Sequence, residues 1–106
     1  MVQLNDKNIG AFLEKGGNEV VLFYADWCRY CQAFLKLLEQ NRKGLKHEVN
    51  MADLTDEENP LWDRFDVQVV PTLVAFSDGK EVARKQGVPY KGLTKEDLLA
   101  IDGALE

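Results

Sequence analysis

The chain is poor in the residues that staple, coordinate or anchor a protein. Only two cysteines, Cys28 and Cys31, occur among its 106 residues. A bridge across so short a loop would constrain little of the unfolded chain, which rules out the framework of a disulfide-stapled secreted domain. His47 is the single histidine, so with the two cysteines it leaves a four-ligand zinc site incomplete. No apolar run approaches the roughly 18–20 residues of a membrane span, and Met1-Val2-Gln3-Leu4-Asn5-Asp6 has no signal-peptide pattern. A cytoplasmic protein without a membrane partner is expected, although a matured exported form or a domain cut from a longer chain would read the same. Positive charge is also scarce: 13 Lys and Arg face 18 Asp and Glu, a formal net charge of −5. That balance speaks against nucleic acid as a partner. The one small basic cluster, Arg42-Lys43 with Lys46, falls at a helix end, where the helix dipole accounts for it.

What is present fits one compact domain. At 106 residues and 45% hydrophobic content the chain can bury one core and is too short for two ordinary domains, so residues 1–106 are expected to form a single unit, a monomer. Asn5-Asp6 can cap a first helix carrying Ile9, Phe12 and Leu13, which Gly16-Gly17 ends; residues 2–4 are a candidate edge strand. Val20 to Ala25 is a continuous apolar strand, and the next helix turns Phe34, Leu35, Leu37 and Leu38 inward until Arg42-Lys43-Gly44. His47 to Leu54 reads as a second strand, with His47 facing solvent. Asn59-Pro60 opens a short helix with Leu61 and Phe65 on one side, and Trp62 as packing or a surface aromatic. Val67 to Phe76 is a β-branched run interrupted by Pro71, and Asp78-Gly79 turns it into a hairpin with Lys80 to Gln86. Thr94-x-x-Asp97 has the form of a capping box for a last helix carrying Leu98, Ile101 and Leu105. The order helix, strand, helix, strand, helix, hairpin, helix predicts an α/β fold: a mixed sheet of four to five strands with helices on both faces.

Chemistry concentrates in Glu19 to Leu38, where the apolar strand feeds Asp26-Trp27-Cys28-Arg29-Tyr30-Cys31 and then a helix. A C-x-x-C pair opening a helix after a buried strand is the arrangement of a thiol–disulfide redox site. Unpaired backbone N–H groups and the positive end of the helix dipole stabilise a thiolate at Cys28, and Cys31 lies about one turn on, on the same side. Buried packing, an inert local bridge and half of a zinc site remain alternatives for the pair.

Phe23-Tyr24-Ala25-Asp26-Trp27-Cys28-Arg29-Tyr30-Cys31, with Val70-Pro71-Thr72 downstream, resembles the thioredoxin family over nearly the whole chain. The resemblance implies the thioredoxin fold, Cys28 as nucleophile and Cys31 as resolving thiol, with no cofactor beyond this redox pair. It implies a cis Pro71 beside the cysteines, with the Val70 backbone free to pair with a substrate strand, and Trp27 as a partly exposed wall. Gln86-Gly87-Val88 matches a glycine loop that completes an apolar docking surface; equally, Gly87 simply ends a strand. Disulfide-containing proteins would be the substrates and a reductase the electron donor.

The chain departs from the family between the cysteines, where Arg29-Tyr30 replaces the usual Gly-Pro. Leu22 stands where a buried aspartate is common, and Lys36 near the place of a helix proline. A positive charge at Arg29 and the missing carboxylate both favour thiolate at Cys28, which predicts a couple more oxidising than a typical thioredoxin by about tens of millivolts. Loss of the buried carboxylate is expected to slow deprotonation of Cys31 unless water or Asp26 substitutes. An oxidase- or isomerase-type enzyme, an exported thioredoxin-like domain, and a peptide- or metal-binding module are the rival functions.

Overall fold

The computed structural model describes residues 1–105. Five strands form one sheet: β1 (Gln3–Leu4), β2 (Asn18–Tyr24), β3 (Val49–Asp53), β4 (Thr72–Ser77) and β5 (Lys80–Gln86), in the spatial order β1-β3-β2-β4-β5. The first three are parallel, and β4 and β5 run antiparallel to their neighbours. The sheet is thus mixed and five-stranded, at the upper end of the expected count, and the candidate edge strand at residues 2–4 is found as β1, Gln3–Leu4.

The helices are α1 (Ile9–Glu14), α2 (Arg29–Asn41), α3 (Leu61–Arg64) and α4 (Lys95–Gly103), with a single 3₁₀ turn, Arg42–Gly44, after α2. Alternation along β2 explains why helices cover both faces. Val20 and Leu22 point to one side, where Phe34 and Leu38 of α2 and Leu98 and Ile101 of α4 close over them. Val21 and Phe23 point to the other, against Ile9 and Leu13 of α1 and Leu61 of α3. With Lys36 in place of proline, α2 runs unbroken for its 13 residues.

Local signals act where expected. Asp78 and Gly79 both take positive φ, 51° and 81°, the conformation a two-residue hairpin between twisted strands requires. Thr94 and Asp97 cap α4 reciprocally. Asn59 Oδ1 accepts the Leu61 N–H at 2.9 Å and starts α3.

Three expectations are corrected. The strand read as Val67 to Phe76 begins only at Thr72, because the residues before Pro71 satisfy their backbone elsewhere: the Val67 N–H goes to the Trp62 carbonyl, and the Val69 carbonyl accepts the Thr72 hydroxyl. β3 starts at Val49, leaving His47 outside the strand. Nor does His47 face solvent. Its ring Nδ1 lies 3.0 Å from Asp102 Oδ1, and both side chains are largely buried.

Candidate active site

β2 ends at Tyr24 and the chain turns through Ala25, Asp26 and Trp27 onto the first turn of α2. Cys28 is the N-cap of that helix, with extended backbone, and its Sγ accepts the Cys31 N–H at 3.1 Å. Sulfur here does what a capping Ser or Asp oxygen usually does. Cys28 Sγ also lies 3.4 Å from the Val70 carbonyl, to which its S–H donates. Both cysteines are thiols, Cys28 8% exposed and Cys31 fully buried.

Burial pushes the Cys31 thiol well up from its ordinary value, and its contact with the Cys28 thiol adds to the shift; a hydrogen bond to the Ala25 backbone opposes it. Leu22 is buried on the same sheet face two residues before Tyr24, which packs against the cysteines. That apolar setting offers Cys31 no carboxylate. Burial also raises Tyr24, helped by the negative charges of Asp53 and Asp26.

The exposed rim of the site is held by Thr55, which sequence reasoning missed. Its hydroxyl accepts the Asp26 N–H at 2.9 Å, its carbonyl accepts the Trp27 indole N–H at 2.9 Å, and its own N–H donates to Asp53 at 2.8 Å. Trp27 therefore stands 55% exposed yet fixed in direction. Asp26 is exposed, and its carbonyl accepts from Gln32. The Arg29 guanidinium lies 5.9 Å from the centre of the Tyr30 ring.

On the opposite side, the Val70–Pro71 peptide is cis, as the resemblance implies. Pro71 is buried and its carbonyl accepts the Gly87 N–H at 2.8 Å. Gly87 lies so close that a Cβ there would come within 3.2 Å of the proline ring. Cys28, Cys31, Tyr30, Val70, Pro71 and Gly87 are thus brought to one end of the sheet, with Trp27, Asp26 and Arg29 exposed around them. Among the described residues, no three His, Cys, Asp or Glu side chains are grouped to hold a metal ion.

A dithiol whose first sulfur caps a helix directly after a buried strand, beside a cis proline, defines a thiol–disulfide oxidoreductase on the thioredoxin fold. A model of the thioredoxin family matches residues 1–100, and the chain belongs to that family. It is 32% identical over 88 residues to a thioredoxin of Chlamydia pneumoniae, covering 83% of this chain and 85% of that protein. It is 38% identical over 80 residues to a probable protein disulfide-isomerase A4 of Caenorhabditis elegans, but the matched region spans 76% of this chain and only 13% of that longer protein. Among solved structures, Fasciola hepatica thioredoxin superposes over the whole of both chains with a TM-score of 0.79 at 24% identity, a likeness of fold.

Proposed function

We propose that the chain is a protein-disulfide reductase in which Cys28 attacks and Cys31 resolves. The observation that carries this reading is the Cys28 Sγ at the head of α2, receiving the Cys31 N–H at 3.1 Å between exposed Trp27 and the Val70 backbone. The Cys28 thiolate forms a bond to one sulfur of a substrate disulfide; the S–S bond breaks and the departing sulfur takes up a proton as a thiol. Cys31 then loses its proton and attacks Cys28 Sγ, releasing the second substrate thiol. Two electrons have passed to the substrate, and the chain is left with a Cys28–Cys31 disulfide.

The other residues act around this exchange. The Val70 N–H, which has no hydrogen-bond partner within the described residues, is available to an extended substrate strand laid along Pro71. Trp27, Pro71 and Gly87 supply the apolar surface, and Arg29, Tyr30 and Asp26 tune the couple. The positive charge of Arg29, next to Cys28 in the chain, shifts the couple toward oxidising values by about tens of millivolts. Residues 1–106 work as a single monomeric unit in the cytoplasm, without a further cofactor or nucleic acid, and are recharged by a reductase. None of the described helices is long and apolar enough to cross a membrane.

Turnover of insulin disulfides with dithiothreitol as donor tests the reading. Wild type should precipitate the insulin B chain, and Cys28→Ser should fall to the uncatalysed rate. Retained activity in Cys28→Ser would refute the assignment. Equilibration against a series of dithiol buffers then gives the potential, and a value at or below that of ordinary thioredoxin would refute the role given to Arg29.

A further inference from the structure

When Cys31 resolves the mixed disulfide, the Cys28 sulfur is already bonded to substrate and can take no proton. Cys31 is fully buried in the first turn of α2, its sulfur tied by a hydrogen bond to the Ala25 backbone. Leu22, on the sheet face that α2 covers, brings no carboxylate to it. A proton leaving this sulfur therefore needs another polar group, one that reaches both the buried pair and water.

Tyr24 meets both conditions. It ends β2 one residue before Ala25, and alternation along the strand turns its ring to the same face as Val20 and Leu22, under α2. The ring packs against the cluster of Ala25, Cys28 and Cys31, yet the residue is only half-buried. Among the described residues its hydroxyl has no hydrogen-bond partner, and it is not sealed from water. Asp53 stands directly across from it on β3, in parallel register and so on the same face, and is exposed. The Thr55 N–H and hydroxyl hold the Asp53 carboxylate in place. The titratable groups facing Tyr24 are thus Cys28 and Cys31 from α2, Asp26 from the turn and Asp53 from β3. Burial first, and then the negative charges of Asp53, Asp26 and Cys31, raise the phenol above its ordinary value. At neutral pH it is a neutral hydroxyl, able to accept one proton while it gives up another.

We propose that the Tyr24 hydroxyl is the route by which the Cys31 proton leaves, standing in for the carboxylate that is missing at Leu22. The S–H bond of Cys31 breaks as its proton passes to Tyr24 Oη, and Oη gives its own proton to water at the rim, where Asp26 and Asp53 stand. The electron pair left on Cys31 Sγ forms the bond to Cys28 Sγ. The bond from Cys28 to the substrate sulfur breaks, and that sulfur departs with its electron pair. Tyr24 begins and ends neutral, so no unpaired charge is left in the buried cluster on the way. The proposal rests on Cys28 attacking and Cys31 resolving.

The test is the stopped-flow reaction of the reduced chain with an equimolar amount of 5,5′-dithiobis(2-nitrobenzoate). Wild type should release thionitrobenzoate twice, once as Cys28 attacks and once as Cys31 displaces the second half. Tyr24→Phe removes a single hydroxyl that bonds to no other described residue, and at pH 7 it should lower the ratio of the second rate to the first by about tenfold. Tyr24→Trp, which also lacks the oxygen, should do the same. Because hydroxide can take the Cys31 proton directly, the gap from wild type should narrow to about twofold by about pH 9. The ratio is read within one trace, so a general loss of reactivity cancels. A ratio unchanged in both variants would overturn the role of Tyr24 and leave both cysteine assignments standing. A lowered ratio that stayed the same from pH 7 to 9 would assign the effect to the shape of the ring, and would overturn the proton route as well. A first release that persisted in Cys28→Ser, or a wild-type chain with no second release, would remove the cysteine assignments and the proposal with them.

Discussion

Cys31 and Asp102 lie in different parts of the molecule, are 0% and 6% exposed, and end up shifted in opposite directions although burial acts on both alike. Desolvation disfavours the charged form of each. At Cys31 no strong donor answers it, and the thiol is pushed well up. At Asp102 the burial is the largest single influence too, but the Lys46 N–H at 2.9 Å, the His47 N–H at 2.9 Å and the His47 ring together outweigh it and hold the carboxyl below its usual range. Asp102 sits in the last turn of α4, where the helix dipole also opposes an anion. Donor supply, rather than depth, decides whether a buried group keeps its charge. The chain saturates Asp102, which joins α4 to the approach to β3, and leaves Cys31 with a proton that must be removed before it can attack.

Placing a carboxylate beside Cys31 is the strongest way to break this contrast. Leu22→Asp puts an acid with no partner into the cluster under α2, and a loss of about 3–5 kcal/mol is expected in urea unfolding. The same substitution supplies a base on the face that leads to Cys31. In stopped-flow measurements at pH 7, decay of the mixed disulfide should quicken by about tenfold or more relative to the wild-type chain. An unchanged decay rate would show that proton departure from Cys31 does not govern that step.

Stripping the donors of their acceptor breaks the other half. Asp102→Ala removes the acceptor of the Lys46 and His47 N–H groups in a part-buried corner, and should cost about 2–4 kcal/mol, read as a lower Tm at pH 7. Acid sharpens the same point. Because the folded state depresses the carboxyl, the stability it contributes is present above its unfolded value of about 3.9 and disappears as pH falls through the lower folded value. The gap in Tm between wild type and Asp102→Asn should therefore narrow below about pH 4. A gap that stayed constant to pH 2 would mean that shape, not charge, holds this corner.

The contrast also marks how far sequence alone could reach. The apolar run of β2, the C-x-x-C opening α2, Asp78-Gly79 and Thr94-x-x-Asp97 were legible because each works through neighbours a few residues apart. His47 was misread because its partner lies 55 positions away, and neither residue's local pattern signals the other. The late start of β4 was hidden for a similar reason: Val67, Val69 and Val70 have strand composition, but Pro71 has no N–H to give a ladder, and the end of α3 takes the Val67 N–H first. Thr55 carried no signal beyond its place after an apolar strand. The turn at Val88–Gly92 carried one that went unread, the close succession of Gly87, Pro89 and Gly92 that marks a tight loop.

The mildest test compares Asp102 with the second carboxylate of its own helix. Asp97 Oδ2 accepts the Thr94 N–H at 2.9 Å and the Thr94 hydroxyl at 3.0 Å, while Thr94 Oγ1 accepts the Asp97 N–H at 3.2 Å. These bonds sit at the helix start, where the dipole favours an anion, and the residues around them are only partly buried, so water can replace whatever is lost. Thr94→Ala should accordingly cost about 1 kcal/mol, roughly 4–8 °C in Tm, which is less than Asp102→Ala, where three hydrogen bonds rather than two are removed and the site is less open to water. Thermal unfolding of the two variants side by side decides the matter. Equal losses would mean that access to water does not separate the two ends of α4, and the explanation given for Asp102 would fall with it.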